Sequence, residues 1–141
     1  MSEERSIPTL HGIPVLVYFD EEKVAAILGK HESVTEAPSS PAARVFQYAW
    51  DGDSIGMVTY QEPEGEPIIL GVRSRSNDAV TDRGLKMNDA QSRIQELYPD
   101  AKPTGDNAWV VEYTDYGNLV IHCDGENTVS ALQLLSVSLL G

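Results

Sequence analysis

A single cysteine, Cys123, stands in a chain of 141 residues. One thiol cannot form an intramolecular disulfide, and it excludes a cysteine-rich zinc centre. The three histidines, His11, His31 and His122, are scattered, and no His-x-x-x-His spacing joins them. Neither a metal site nor a cofactor is therefore expected. Cations are scarce: ten Lys and Arg face 22 Asp and Glu, a formal net charge of −12. So acidic a chain lacks the clustered Lys and Arg that broad binding to nucleic acid or anionic membranes requires. No run of about 18 apolar residues is present to span a bilayer. The acidic, polar start, Met1 to Ser6, does not read as a signal peptide, so a cytoplasmic protein is expected.

What is present is ordinary globular composition, with 41% hydrophobic and 23% charged residues. The length suits one compact domain, 1–141, and a weak internal duplication organises it. Segments 20–29 and 89–99 both read as short amphipathic helices. Val24, Ile27 and Leu28 form the apolar stripe of the first, and Ile94, Leu97 and Tyr98 that of the second. Asp20 is a natural N-cap, and Asn88 with Gln91 has the spacing of a capping box. Gly29 and Pro99 stop the helices at matching places. A polar, proline-containing link follows each, 35–43 and 102–107.

Three strand candidates then recur in each half: 44–50 with 108–114, 55–60 with 118–123, and 68–73 with 130–135. Turn signals punctuate them at Asp51-Gly52 and Tyr116-Gly117, and at 62–67 and 124–127. Extra strands at 13–19 and 80–87 would precede the helices. The apolar stretch 129–140 would supply a last, central strand. Residues 1–75 hold six basic and 12 acidic residues and 76–141 hold four and ten, so each half carries −6. The fold class is therefore α+β: two tandem helix-plus-antiparallel-meander repeats, about 13–75 and 79–138. One half alone has little core, so the two are expected to share one antiparallel sheet with helices on one face.

The stretch from Thr81-Asp-Arg-Gly-Leu-Lys-Met to Ile94-Gln-Glu-Leu-Tyr98-Pro99 resembles the Gly-Ile-x-x-Gly-x-Ser-x-x-x-Val-x-x-x-Tyr opening of small α+β modules. These are the tandem beta-lactamase-inhibitor-protein-like domains and short bacterial lipoprotein domains. Tyr113-Thr-Asp-Tyr-Gly117-Asn-Leu-Val-Ile121 looks like the same module's hairpin. The resemblance implies the α+β fold and a protein-binding, inhibitor-like role. Those relatives are exported or lipid-anchored, and the inhibitors carry disulfides, whereas this chain has one cysteine.

Period-2 alternation assigns the sheet faces. Trp109, Val111 and Tyr113 point inward with Leu119, Ile121 and Cys123; Val110, Glu112 and Thr114 point outward with Val120, His122 and Asp124. By the duplication, Phe46, Tyr48, Met57, Thr59, Ile68, Leu70 and Val72 go in, while Gln47, Val58, Tyr60, Ile69 and Arg73 go out. The outward face would then carry Gln47, Tyr60, Arg73, Glu112, His122 and Asp124, a polar surface with an aromatic anchor. Trp50 and Tyr116, beside equivalent turns, would flank it or cap the edge of the core.

Catalytic signals are weak. His122-Cys123-Asp124 brings reactive residue types together, but neighbours on a strand face opposite ways, so His122 cannot activate Cys123. Asp51-Gly52-Asp53 opens like a calcium loop but lacks the remaining ligands. The basic group Arg73, Arg75 and Arg83 has no glycine-rich phosphate loop beside it. No enzymatic activity is expected. The reading is an acidic protein-binding module of inhibitor or immunity type, monomer or homodimer, whose acidic loop 62–66 would suit a basic partner. Two alternatives stand beside it: a cytosolic secretion-chaperone-like adaptor and a small-ligand binder.

Overall fold

The computed structural model describes residues 8–37, 44–52, 54–105, 107–113 and 116–136. The Asp20 carboxylate accepts from the backbone N–H groups of Glu22 and Lys23, and so starts helix α1 (Glu21–Leu28). Gly29, with φ +84°, ends it. Helix α2 (Gln91–Leu97) begins differently from the expected capping box. Asn88 has φ +73° and reaches Asn77 instead, and the N-cap position, Ala90, has no side-chain cap. The carbonyl of Asn127 accepts the Gln91 N–H at 2.8 Å, so a loop of the sheet does the capping.

Four strands follow each helix. After α1 come β1 (Ser33–Ala37), β2 (Arg44–Trp50), β3 (Ile55–Gln61) and β4 (Ile68–Ser74). After α2 come β5 (Lys102–Pro103), β6 (Ala108–Tyr113), β7 (Gly117–Cys123) and β8 (Val129–Ser136). All eight form one antiparallel sheet in the order β1-β2-β3-β4-β8-β7-β6-β5. The protein is thus α+β, with two helices among the described residues, and β4 and β8 pair at the centre of the sheet.

Several sequence expectations need correction. The links at 35–43 and 102–107 overlap strands, β1 and β5, at the two edges of the sheet. The segment 13–19 is not a strand. Pro14 lacks a donor and Leu16 sits at φ +64°, which limits it to isolated bridges such as Tyr18 with Ile68. The segment 80–87 folds back on itself through Gly84 at φ +93°, with Thr81 N–H reaching Leu85 O at 2.9 Å. In β4 the expected faces of Ile69 and Ile68 are exchanged. A bulge leaves Val58 opposite Gly71 but Thr59 opposite Ile69, so Ile69 turns inward and is 2% exposed. Thr114, Asp53, the Pro/Ser link at 38–41 and the end of the C-terminal stretch, 137–140, lie outside the described residues.

The inward faces meet the helices. Val24 of α1 and Ile94 of α2 share one core with Met57, Val72, Val111, Leu119, Ile121 and Leu134. Ile27, expected in the α1 stripe, is instead 51% exposed. Along β2 the inward rings of Phe46, Tyr48 and Trp50 follow one another, and Phe19 and His31 pack on Tyr48.

Candidate functional site

The other side of the sheet is built by strict register. One cross-strand row runs Gln47, Val58, Gly71, Leu135, Asn118, Glu112, from β2 to β6. Its neighbour runs Gly56, Arg73, Gln133, Val120, Val110, Lys102, from β3 to β5. Partners directly opposite share a face, so both rows lie on the side away from the helices. The first row has exposed polar ends, Gln47 and Glu112, and a half-buried centre at Val58, Leu135 and Asn118.

Glycines shape this face. A Cβ on Gly56 would lie 2.6 Å from Cζ of Arg73, so the guanidinium lies directly across Gly56. With Gly71 also bare, a shallow hollow of about 210 Å³ forms beside Val58, Arg73, Gln133 and Leu135. A second hollow, about 320 Å³, opens between Arg73, Arg75, His122 and Gln133. The His122 ring nitrogen Nε2 lies 2.9 Å from Oε1 of Gln133, which fixes the imidazole across β7 and β8. Lys102 Nζ approaches Glu112 at 3.8 Å, both well exposed, a weak pair that leaves Glu112 accessible.

Of the expected site residues, Gln47, Tyr60, Arg73, Glu112 and His122 are brought to this one face. Three are not. Trp50 points to the core, is 3% exposed, and donates its indole N–H to the carbonyl of Gly29 at 2.8 Å. It ties β2 to the end of α1 and offers no surface. Tyr116 packs against the core rather than beside a groove. Asp124 is consumed by its own turn. Its carboxylate accepts from the backbone and hydroxyl of Thr128 and from the Glu126 N–H, and these bonds hold its pKa below the usual carboxylate value.

Val58, Val120 and Val110 follow from the same alternation, although the expected site did not include them. Leu135 and Gln133 lie in 129–140, which carries too little polar contrast to assign faces.

Nucleophilic chemistry finds no support here. Cys123 is buried, and burial first, then the Asp124 carboxylate, raises its thiol pKa. His122 stands on the opposite face. Among the described residues no group of three His, Cys, Asp or Glu converges to hold a metal ion, and no helix is long and apolar enough to cross a membrane. No family model, curated protein or solved structure matches the chain.

Proposed function

We propose that this chain is a non-enzymatic, cytoplasmic protein-binding module of inhibitor or immunity type that holds a partner protein on the helix-free face of its sheet. One observation carries the reading: on that face Val58, Leu135, Val120 and Val110 stand half-buried among Arg73, Gln133 and Asn118, with Gln47, Tyr60, Glu112 and His122 beside them. Apolar and polar side chains mixed in this way typify protein interfaces. A merely solvated sheet face favours polar residues at the four apolar positions. The resemblance to tandem inhibitor-like modules supports the same reading, as does the succession of a helix and four strands in each half. On this reading the two halves are copies of one ancestral unit.

The test is capture of the partner from native cytosol by the wild type and by Tyr60→Ala and Glu112→Lys. Both variants are expected to keep the wild-type melting temperature and to lose most of the captured partner. Undiminished capture by both overturns the proposal.

A further inference from the structure

A second surface lies on the opposite side of the molecule. Four large hydrophobic side chains stand exposed among the described residues, and three of them, Val17, Tyr18 and Ile27, line a single cleft. They are 41%, 67% and 51% exposed. The cleft holds about 530 Å³ between the segment 12–18 and α1, with Ile13 and Ile69 at its floor. Its walls are fixed. Leu16 N–H bonds to Ile69 O at 2.7 Å, and Ile69 N–H bonds to Val17 O at 2.9 Å. Scattered exposed apolar residues are ordinary, whereas three gathered in one cleft mark an interaction site.

The charge at its rim selects the occupant. Asp20 and Lys23 border the cleft, Glu21 and Glu22 lie exposed in the same helical turn, and Glu66 stands two residues before Ile68, the bridge partner of Tyr18. The turn that borders the cleft thus carries three carboxylates, Asp20, Glu21 and Glu22, against the one ammonium of Lys23, with Glu21 3.9 Å from the His31 ring. A second copy of this chain would bring like charge against like, in a protein already at −12. We propose that the cleft takes an amphipathic, cationic segment of a partner protein. Apolar side chains would enter between Tyr18 and Ile27, and Lys or Arg would face the acidic rim. This site is separate from the sheet face and does not depend on it.

The probe is a fluorescein-labelled 16-residue peptide of Leu and Lys with an amphipathic helical pattern, read by anisotropy at physiological salt. A Leu/Glu counterpart and a scrambled Leu/Lys peptide serve as controls. The expected result is saturable binding of the first peptide alone. Tyr18→Ser and Ile27→Ser should each weaken it roughly tenfold, and Glu21→Lys should weaken it as well. Arg73→Ala, on the other face, should leave it unchanged. Because Tyr18 and Ile27 are half or more exposed, both serine variants should keep the wild-type melting temperature. Equal binding by wild type and the serine variants would show charge attraction alone and overturn the proposal. So would absence of saturable binding, sensitivity to Arg73→Ala, or a protein dimer that Ile27→Ser dissociates.

Discussion

The Tyr98 hydroxyl lies 2.7 Å from Oγ1 of Thr81, inside the core. It also reaches Asp82 Oδ1 at 3.0 Å, and Tyr113 donates more loosely to the same carboxylate. Arg83 stacks 4.8 Å over the Tyr98 ring and donates to the Leu97 carbonyl. The turn at 81–84 is thereby locked to the end of α2 and to β6. Tyr98→Phe should cost about 1–2 kcal/mol in urea unfolding, because it removes both hydrogen bonds of the buried hydroxyl and leaves Thr81 with the Leu85 N–H and Asp82 with Tyr113. Burial, and then the Asp82 carboxylate, pushes the Tyr113 pKa from 10.0 up to about 12, and burial raises that of Tyr98 as well. Raised phenol pKa values mean that the folded state keeps protons that the unfolded chain releases. Stability should hold below pH 10 and fall between about pH 10 and 12, and Tyr98→Phe should flatten that fall.

At the acid side the sensitive group is His11, whose Nε2 lies 2.8 Å from the Ser74 hydroxyl. Burial lowers its pKa from 6.5, against a smaller opposing pull from Asp78. The unfolded chain therefore binds a proton at a higher pH than the folded one. The stability this lends is present above pH 6.5 and is lost as pH falls through the depressed folded value. Thermal melts between pH 7 and 5 should show the decline, and His11→Asn should reduce its slope.

Gly117, at the start of β7, has φ +143°, and a Cβ there would sit 1.9 Å from the Leu135 carbonyl oxygen. Backbone cannot yield as a flexible side chain does. Gly117→Ala should cost at least about 3 kcal/mol, through strain and overpacking together. Denaturant titration checks this. A loss below 1 kcal/mol would mean that β7 and β8 are not in the stated register.

Thr59 is fully buried beside the bulge between β3 and β4, and its hydroxyl has no hydrogen-bond partner among the described residues. Thr59→Val keeps the shape and removes an unsatisfied polar group. The expected outcome is a gain of about 1 kcal/mol in urea unfolding. A loss of stability would reveal a partner for that hydroxyl.

The interior strands were legible because each alternates between two unlike environments. Val111 against Glu112 and Ile121 against His122 assign their faces without help. The edge strands were not. Ser33–Ala37 is exposed on both sides where described, with Val34 its one large apolar residue, and β5 is two residues ending in Pro103, so neither bears a pattern that distinguishes a strand from a link. The face of Ile69 depends on a bulge that alternation cannot foresee. Ile27 shows the limit for helices: its spacing matches a core stripe, but the neighbouring segment 12–18 leaves a cleft beside it. For the candidate site, parity placed Glu112 and His122 on one face, and the expected duplication carried Gln47, Tyr60 and Arg73 to the same face. Trp50 was drawn to the site by its nearness to a turn, although it shares the inward parity of Tyr48.

The most direct measurement is site-specific photocrosslinking in native cytosol. The photoreactive residue benzoylphenylalanine replaces Gln47, Tyr60 or Glu112 on the sheet face, or Glu96 or Glu126, both exposed and off that face. The account predicts one shared crosslinked partner from the three sheet-face positions and none from the two controls. The same partner crosslinked equally from Glu96 and Glu126, or from no sheet-face position, would contradict it.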